Sequence, residues 1–225
     1  MEFRYKKINK YFTIFKNKNV FKTPNMFPLI AVNQKHAEII INQLNAKLIK
    51  KNPNSVLSLT LFACNLDEND RSMMKKDIIF KLKNDLTLFR NFDDEKLLNE
   101  IIKKYNNYVE RFSKKFEMKL SFIESFNFKN KNFNQNSFFT YLSKLNNFYL
   151  TVFYKFVGIT NSAILTYFFI LREFDYKKLF ALMNIENKIQ QSQWGYVEEQ
   201  KEIDKGYLKN LKDISFFFEN INKFI

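Results

Sequence analysis

A chain of 225 residues, 46% hydrophobic and 27% charged, is long and apolar enough to bury a core and is not a disordered polypeptide. Only three Gly and three Pro exclude an all-β fold of tight turns, so a mainly helical protein is expected. The net charge of +14 suits an acidic partner, a nucleic acid or an anionic surface, yet the lysines are scattered through every segment beside abundant Asn, Ile and Phe. That is the signature of an AT-rich coding sequence, and it does not mark one basic patch.

The single cysteine, Cys64, excludes a disulfide framework and a cysteine-based zinc site, and the single histidine, His36, excludes a multi-histidine metal site. With so little nucleophile and base chemistry available, no catalytic residue, cofactor or metal is expected, and the sequence argues against an enzyme. Cys64 lies in the apolar run 57–66 and reads as a buried small hydrophobe. The first residues carry no apolar signal core and no Arg/Ser-rich transit segment, so the chain as written is expected to start where its domain starts.

Residues 3–32 alternate in the manner of strands, with Lys16-Asn17-Lys18-Asn19 as a polar turn between Tyr11-Phe12-Thr13-Ile14-Phe15 and Val20-Phe21. A small antiparallel sheet is expected, with Asn doing the work usually given to Gly. From 34 to 50, Ala37, Ile40, Ile41, Leu44 and Leu48 recur at helical spacing and predict a helix covering that sheet. His36, in its first turn, reads as a surface or capping residue. The boundary is placed after residue 66, giving a β-rich domain over 1–66 and a helical domain over 67–225.

In the second part, an acidic start at 67–70 leads into Ile78, Ile79, Leu82, Leu86 and Phe89 at helical spacing. Asp85 and Arg90 read as a solvated or locally paired surface couple. A helix follows over about 93–116, then a short extended passage over 118–123. The Asn/Lys/Phe-rich run 127–136 reads as a loop whose Phe128 and Phe133, beside Lys129 and Lys131, reflect composition more than base stacking. Residues 156–171 carry no charge but are too short for a bilayer span and contain Gly158, Thr160, Asn161, Ser162 and Thr166, so a central buried helix is expected.

The last part contains Gln193-Trp194-Gly195-Tyr196-Val197-Glu198-Glu199, with the only Trp of the chain. One helix should end at Gly195 and another begin over Glu198 and Glu199, placing Trp194 at a helix-helix corner. Glu198, Glu199, Glu202 and Asp204 then favour the positive end of a helix running over about 197–218.

Trp194-Gly195-x-Val197-Glu198 followed by a charged helix resembles the signature of the ATP synthase alpha-subunit assembly chaperones, the ATP-twelve family. Four further stretches resemble that family in the same order. They are the hairpin leading to Lys22-Thr23-Pro24, where the family's turn Gly is absent; Leu57-Ser58-Leu59-Thr60, without the family's Pro and basic residue; Asp85-Leu86-Thr87-Leu88-Phe89-Arg90, with Phe for Tyr; and Thr160-Asn161-Ser162 through Glu173-Phe174-Asp175. The resemblance implies an α+β, mainly α fold with a small N-terminal antiparallel β domain and a larger C-terminal helical domain. It implies a monomeric, non-catalytic chaperone that binds the free alpha subunit of F-type ATP synthase until beta subunits replace it. Trp194, Gly195 and Glu198 become the expected client-binding residues. The absent presequence and AT-rich composition favour a bacterial cytoplasm over a mitochondrial matrix. The alternative is a basic nucleic-acid-binding protein, and neither nucleic acid nor membrane insertion is expected of the chaperone.

Overall fold

In the computed structural model, which describes residues 2–46, 52–125 and 134–221, with backbone alone at 193 and 194, the architecture is α+β and mainly α. Strands β1 (Phe3–Ile8) and β2 (Tyr11–Lys16) pair antiparallel along their whole length, and β3 (Asn19–Val20) and β4 (Ile30–Ala31) pair antiparallel with β2 through different residues of it. The two tight turns, at 9–10 and 17–18, each put an asparagine in the left-handed region, Asn9 at φ 55° and Asn17 at φ 54°. Asparagine tolerates this conformation better than other non-glycine residues, so the hairpins form without the turn glycine.

Helices α1 (Gln34–Asn45), α2 (Val56–Asn65) and α3 (Glu68–Lys83) follow. Asn33 caps α1 by accepting from the His36 amide at 2.9 Å, and Ser55 caps α2 by accepting from the Ser58 amide at 3.1 Å. The predicted extension of α1 over 47–50, including Leu48, falls outside the described residues, as does most of the predicted loop, with Phe128, Lys129, Lys131 and Phe133.

Helix α4 (Glu95–Phe116) is capped by Asp94 and buries Leu97, Ile101, Tyr105, Val109, Phe112 and Phe116, one stripe at three- and four-residue steps. It is followed by α5 (Asn136–Lys144), α6 (Asn147–Thr160), α7 (Ala163–Ile170), α8 (Tyr176–Met183), α9 (Ile185–Trp194) and α10 (Glu198–Ile221). The uncharged run 156–171 is therefore not one helix. Asn161 turns left-handed at φ 49° between α6 and α7, and Ser162 restarts the chain by capping the Leu165 amide at 2.9 Å. All eight residues of α7 are buried. Among the described residues no helix is long and apolar enough to cross a membrane.

Two compact units divide the chain, residues 1–72 with 145–152 and 212–225, and residues 73–144 with 153–211. Both units are discontinuous in sequence: parts of α6 and α10 belong with the sheet. In the first unit, α1 and α2 pack on the sheet, and Ile14, Leu29, Ala37, Ile40, Leu57 and Leu59 are fully buried. His36 is fully buried there too, which corrects its reading as a surface residue. Its Nδ1 accepts from the Val32 amide at 3.3 Å and its Nε2 lies 2.7 Å from the Thr60 hydroxyl, which donates to the Val56 carbonyl. The proton is thereby assigned to Nε2. Cys64 is only partly buried, with its thiol 3.6 Å from the Ile30 carbonyl.

In the second unit, an aromatic cluster of Phe112, Phe116, Phe138, Tyr141 and Tyr167 forms much of the core. Ring centroids there are 4.7 Å apart for Phe112 and Phe116 and 4.9 Å for Phe116 and Phe138. Such clusters account for part of the chain's 28 phenylalanines as core and not as interface anchors.

Candidate functional site

The corner between α9 and α10 has a backbone cause. Gly195 closes α9 with its amide donating to the Gln191 carbonyl at 2.9 Å, and its φ of 90° and ψ of 164° lie where an L side chain is strained. A β-carbon there would meet no atom within 4 Å, so backbone conformation alone demands glycine. Two residues later Glu198 and Glu199 open α10, their charges matched to the positive end of the helix. The backbone of Trp194 is the last residue of α9, and its side chain lies outside the described ones.

Glu198 is exposed and pairs with Lys201 at 2.9 Å, one turn on. Glu202 pairs in the same way with Lys205 at 2.5 Å. Asp204 departs from the helix-start role expected of it: it is buried, accepts from the Tyr196 hydroxyl at 2.7 Å and from Gln200 Nε2 at 2.8 Å, and so ties the corner down. The hydrogen bond to this carboxylate pushes the Tyr196 phenol up to about 12. Only the Gln200-x-x-x-Asp204 step was visible in the sequence; the bond from Tyr196 across the corner was not. Around this tie the surface is apolar, with Val197 65% exposed and Tyr196, Ile203 and Tyr207 each more than 40% exposed. A shallow cleft of about 180 Å³ runs between Gln190, Gln191, Gly195 and Val197. Gly195 and Glu198 therefore sit together at one exposed corner, beside a patch that a partner surface could cover.

Asp85 and Arg90 prove to be interior groups, which corrects their reading as a surface couple. Asp85 is fully buried. Its Oδ1 accepts from the Thr87 amide at 3.0 Å, the Thr87 hydroxyl at 2.9 Å and the Ser162 hydroxyl at 2.6 Å, and its Oδ2 accepts from the Ile164 amide at 3.1 Å. Burial holds the carboxyl above its usual range, opposed by these donors. Helix α3 stops short of it at Lys83, and a 3-10 turn occupies Leu86–Leu88. Arg90 does not pair with Asp85. It donates to the carbonyls of Thr87 and Phe89 at 2.8 and 2.7 Å, bonds Asn106 at 2.7 Å, and lies 4.3 Å over the Phe122 ring. The extended passage beyond α4 returns to this motif, Ile123 bridging to Phe89 in parallel. These groups hold distant chain segments together. A cavity of about 430 Å³ adjoins them, walled by Leu86, Phe89, Ile101, Tyr105, Ile123 and Met183.

The fold is found in solved structures. Atp12 from Paracoccus denitrificans superposes with a TM-score of 0.80 over 99% of this chain and 97% of its own, at 16% identity. A mutant of P. denitrificans Atp12p gives 0.83 over 99% and 96%, at 17% identity. The chain has the Atp12 fold. A candidate chaperone from Agrobacterium tumefaciens shares that fold, with a TM-score of 0.82 over 98% of this chain and 84% of the other at 20% identity. No family model matches the sequence, and no curated protein matches it. The likeness to Atp12 is one of backbone path, retained where side chains have largely been exchanged.

Proposed function

We propose that this protein is an assembly chaperone of F-type ATP synthase, which binds the free alpha subunit and keeps it from aggregating until beta subunits take its place. The observation that carries the reading is the end-to-end match to Atp12, which covers 99% of this chain and 97% of the other. An unassembled subunit exposes an interface patch far larger than a monomer normally tolerates, and a chaperone needs only to cover it and let go. The corner of Gly195 and Glu198, with exposed Val197, Ile203 and Tyr207 beside it, offers the apolar anchors and the charge that such covering uses. In this reading Gly195 permits the corner, Glu198 presents its charge to the client, and Trp194 is the third client-binding residue.

The test is co-purification of the tagged protein from its own cells with identification of the bound chain. Free alpha subunit without beta is the expected result. Recovery of RNA, with no alpha subunit, would transfer the weight to the +14 charge and a nucleic-acid-binding role.

A further inference from the structure

The second unit has a groove that neither the corner nor the cavity uses. Positions 178, 181 and 182 share one face of α8 and positions 185, 188 and 189 one face of α9, and the two sets form one continuous face. That face lines a groove of about 370 Å³ together with Glu100 and Lys104 of α4, one turn apart. The floor is aliphatic, made by Ala181, Leu182, Ile185 and Ile189. The rim is basic: Lys104, Lys178 and Lys188 are all exposed, and none has an ion-pair partner among the described residues. Against three lysines the rim sets one acid, Glu100, which leaves it two charges positive.

We propose that this groove is the docking site for an acidic amphipathic segment of a partner protein, its aliphatic side chains in the floor and its carboxylates against the three lysines. Three like charges around one apolar cleft repel each other when it is empty and are neutralised when an acidic segment enters. An apolar floor with flanking charges is also how an amphipathic helix is read in a groove, through anchors at i, i+3, i+4 and i+7. Single-stranded nucleic acid fits less well, because base stacking needs aromatic platforms and the floor has none. A bilayer fits less well too, since interfacial binding needs a protruding apolar face and this one is recessed.

The proposal does not rest on the alpha subunit being the client. A peptide probe reads the groove and co-purification reads the client, so either can fail alone. The whole protein is titrated into a fluorescein-labelled peptide with Leu at i, i+3, i+4 and i+7 and Glu elsewhere, followed by anisotropy. Saturable binding is expected, weakened about tenfold or more by the triple reversal Lys104→Glu, Lys178→Glu, Lys188→Glu. Reversal of Lys6, Lys7 and Lys18, exposed lysines of the sheet region, is expected to change it less than about twofold. Replacing the peptide's Leu by Ser should abolish binding, and Ile189→Gln should weaken it while circular dichroism stays unchanged. Equal losses from the two triple reversals, undiminished binding of the Ser peptide, displacement by a single-stranded oligonucleotide, or no binding at all would each overturn the proposal.

Discussion

The carboxylate of Asp85 accepts a 2.6 Å hydrogen bond from the hydroxyl of Ser162, 77 residues further along the chain. The same carboxylate binds the Ile164 amide in the first turn of α7 and the amide and hydroxyl of Thr87. One buried group thus serves as cap for two chain segments, and the hydroxyl it receives from Ser162 is itself the N-cap of α7. Asp85→Ala strands these donors without solvent, and a loss of about 3 kcal/mol is expected in urea unfolding. Asp85→Asn keeps one acceptor oxygen but turns an amide toward a donor, and should fall between the alanine variant and the parent.

His36 makes folding sensitive to acid. Burial pushes its imidazole down to about 3 from the usual 6.5. The folded protein therefore keeps it neutral while the unfolded chain binds a proton below about 6.5, so stability falls as pH falls through the window from 6.5 towards 3. Between pH 7 and pH 5 this one group should cost about 2 kcal/mol. His36→Gln should be less stable at pH 7 yet show a flatter slope across that interval. Denaturant midpoints of both proteins at pH 7, 6 and 5 read the difference; parallel slopes would disprove the assignment.

Gly195 and Gly206 should respond oppositely to the same change. A methyl group meets no atom within 4 Å at either position, but Gly195 sits at φ 90° and Gly206 lies inside α10. Gly195→Ala is expected to destabilise by about 1 kcal/mol or more through backbone strain. Gly206→Ala should stabilise by about 0.5–1 kcal/mol through helix propensity. Thermal unfolding of the two single variants checks the sign of each.

A charge reversal at Glu198 tests the proposed client contact without disturbing the fold. It is exposed, and its pair with Lys201 joins neighbours on one helix, so Glu198→Lys should cost no more than about 1 kcal/mol. If the corner meets the client, the folded variant should nonetheless fail to keep the alpha subunit from aggregating in a light-scattering assay. Undiminished protection by the folded variant would remove Glu198 from the client-binding surface.

What the sequence determined by itself was local. The asparagine turns at Asn9 and Asn17, the caps at Asn33, Ser55 and Asp94, the α4 stripe from Leu97 to Phe116 and the break at Gly195 each depend on residues within a few positions of one another. Backbone sterics and helix periodicity act over that range, so the pattern of types carries them. Tertiary structure decided what depends on distant partners. His36 became a core residue because Thr60 and the rings of Phe148 and Phe217 close around it, and Asp85 because Ser162 and Ile164 come to it. At Asn161, where the uncharged run 156–171 divides, the carbonyl and side chain accept from Leu86 and Lys81, far away in the chain. The cost of burying a polar group is set by whichever segment supplies its hydrogen bonds, and the order of residues along the chain does not say which segment that will be.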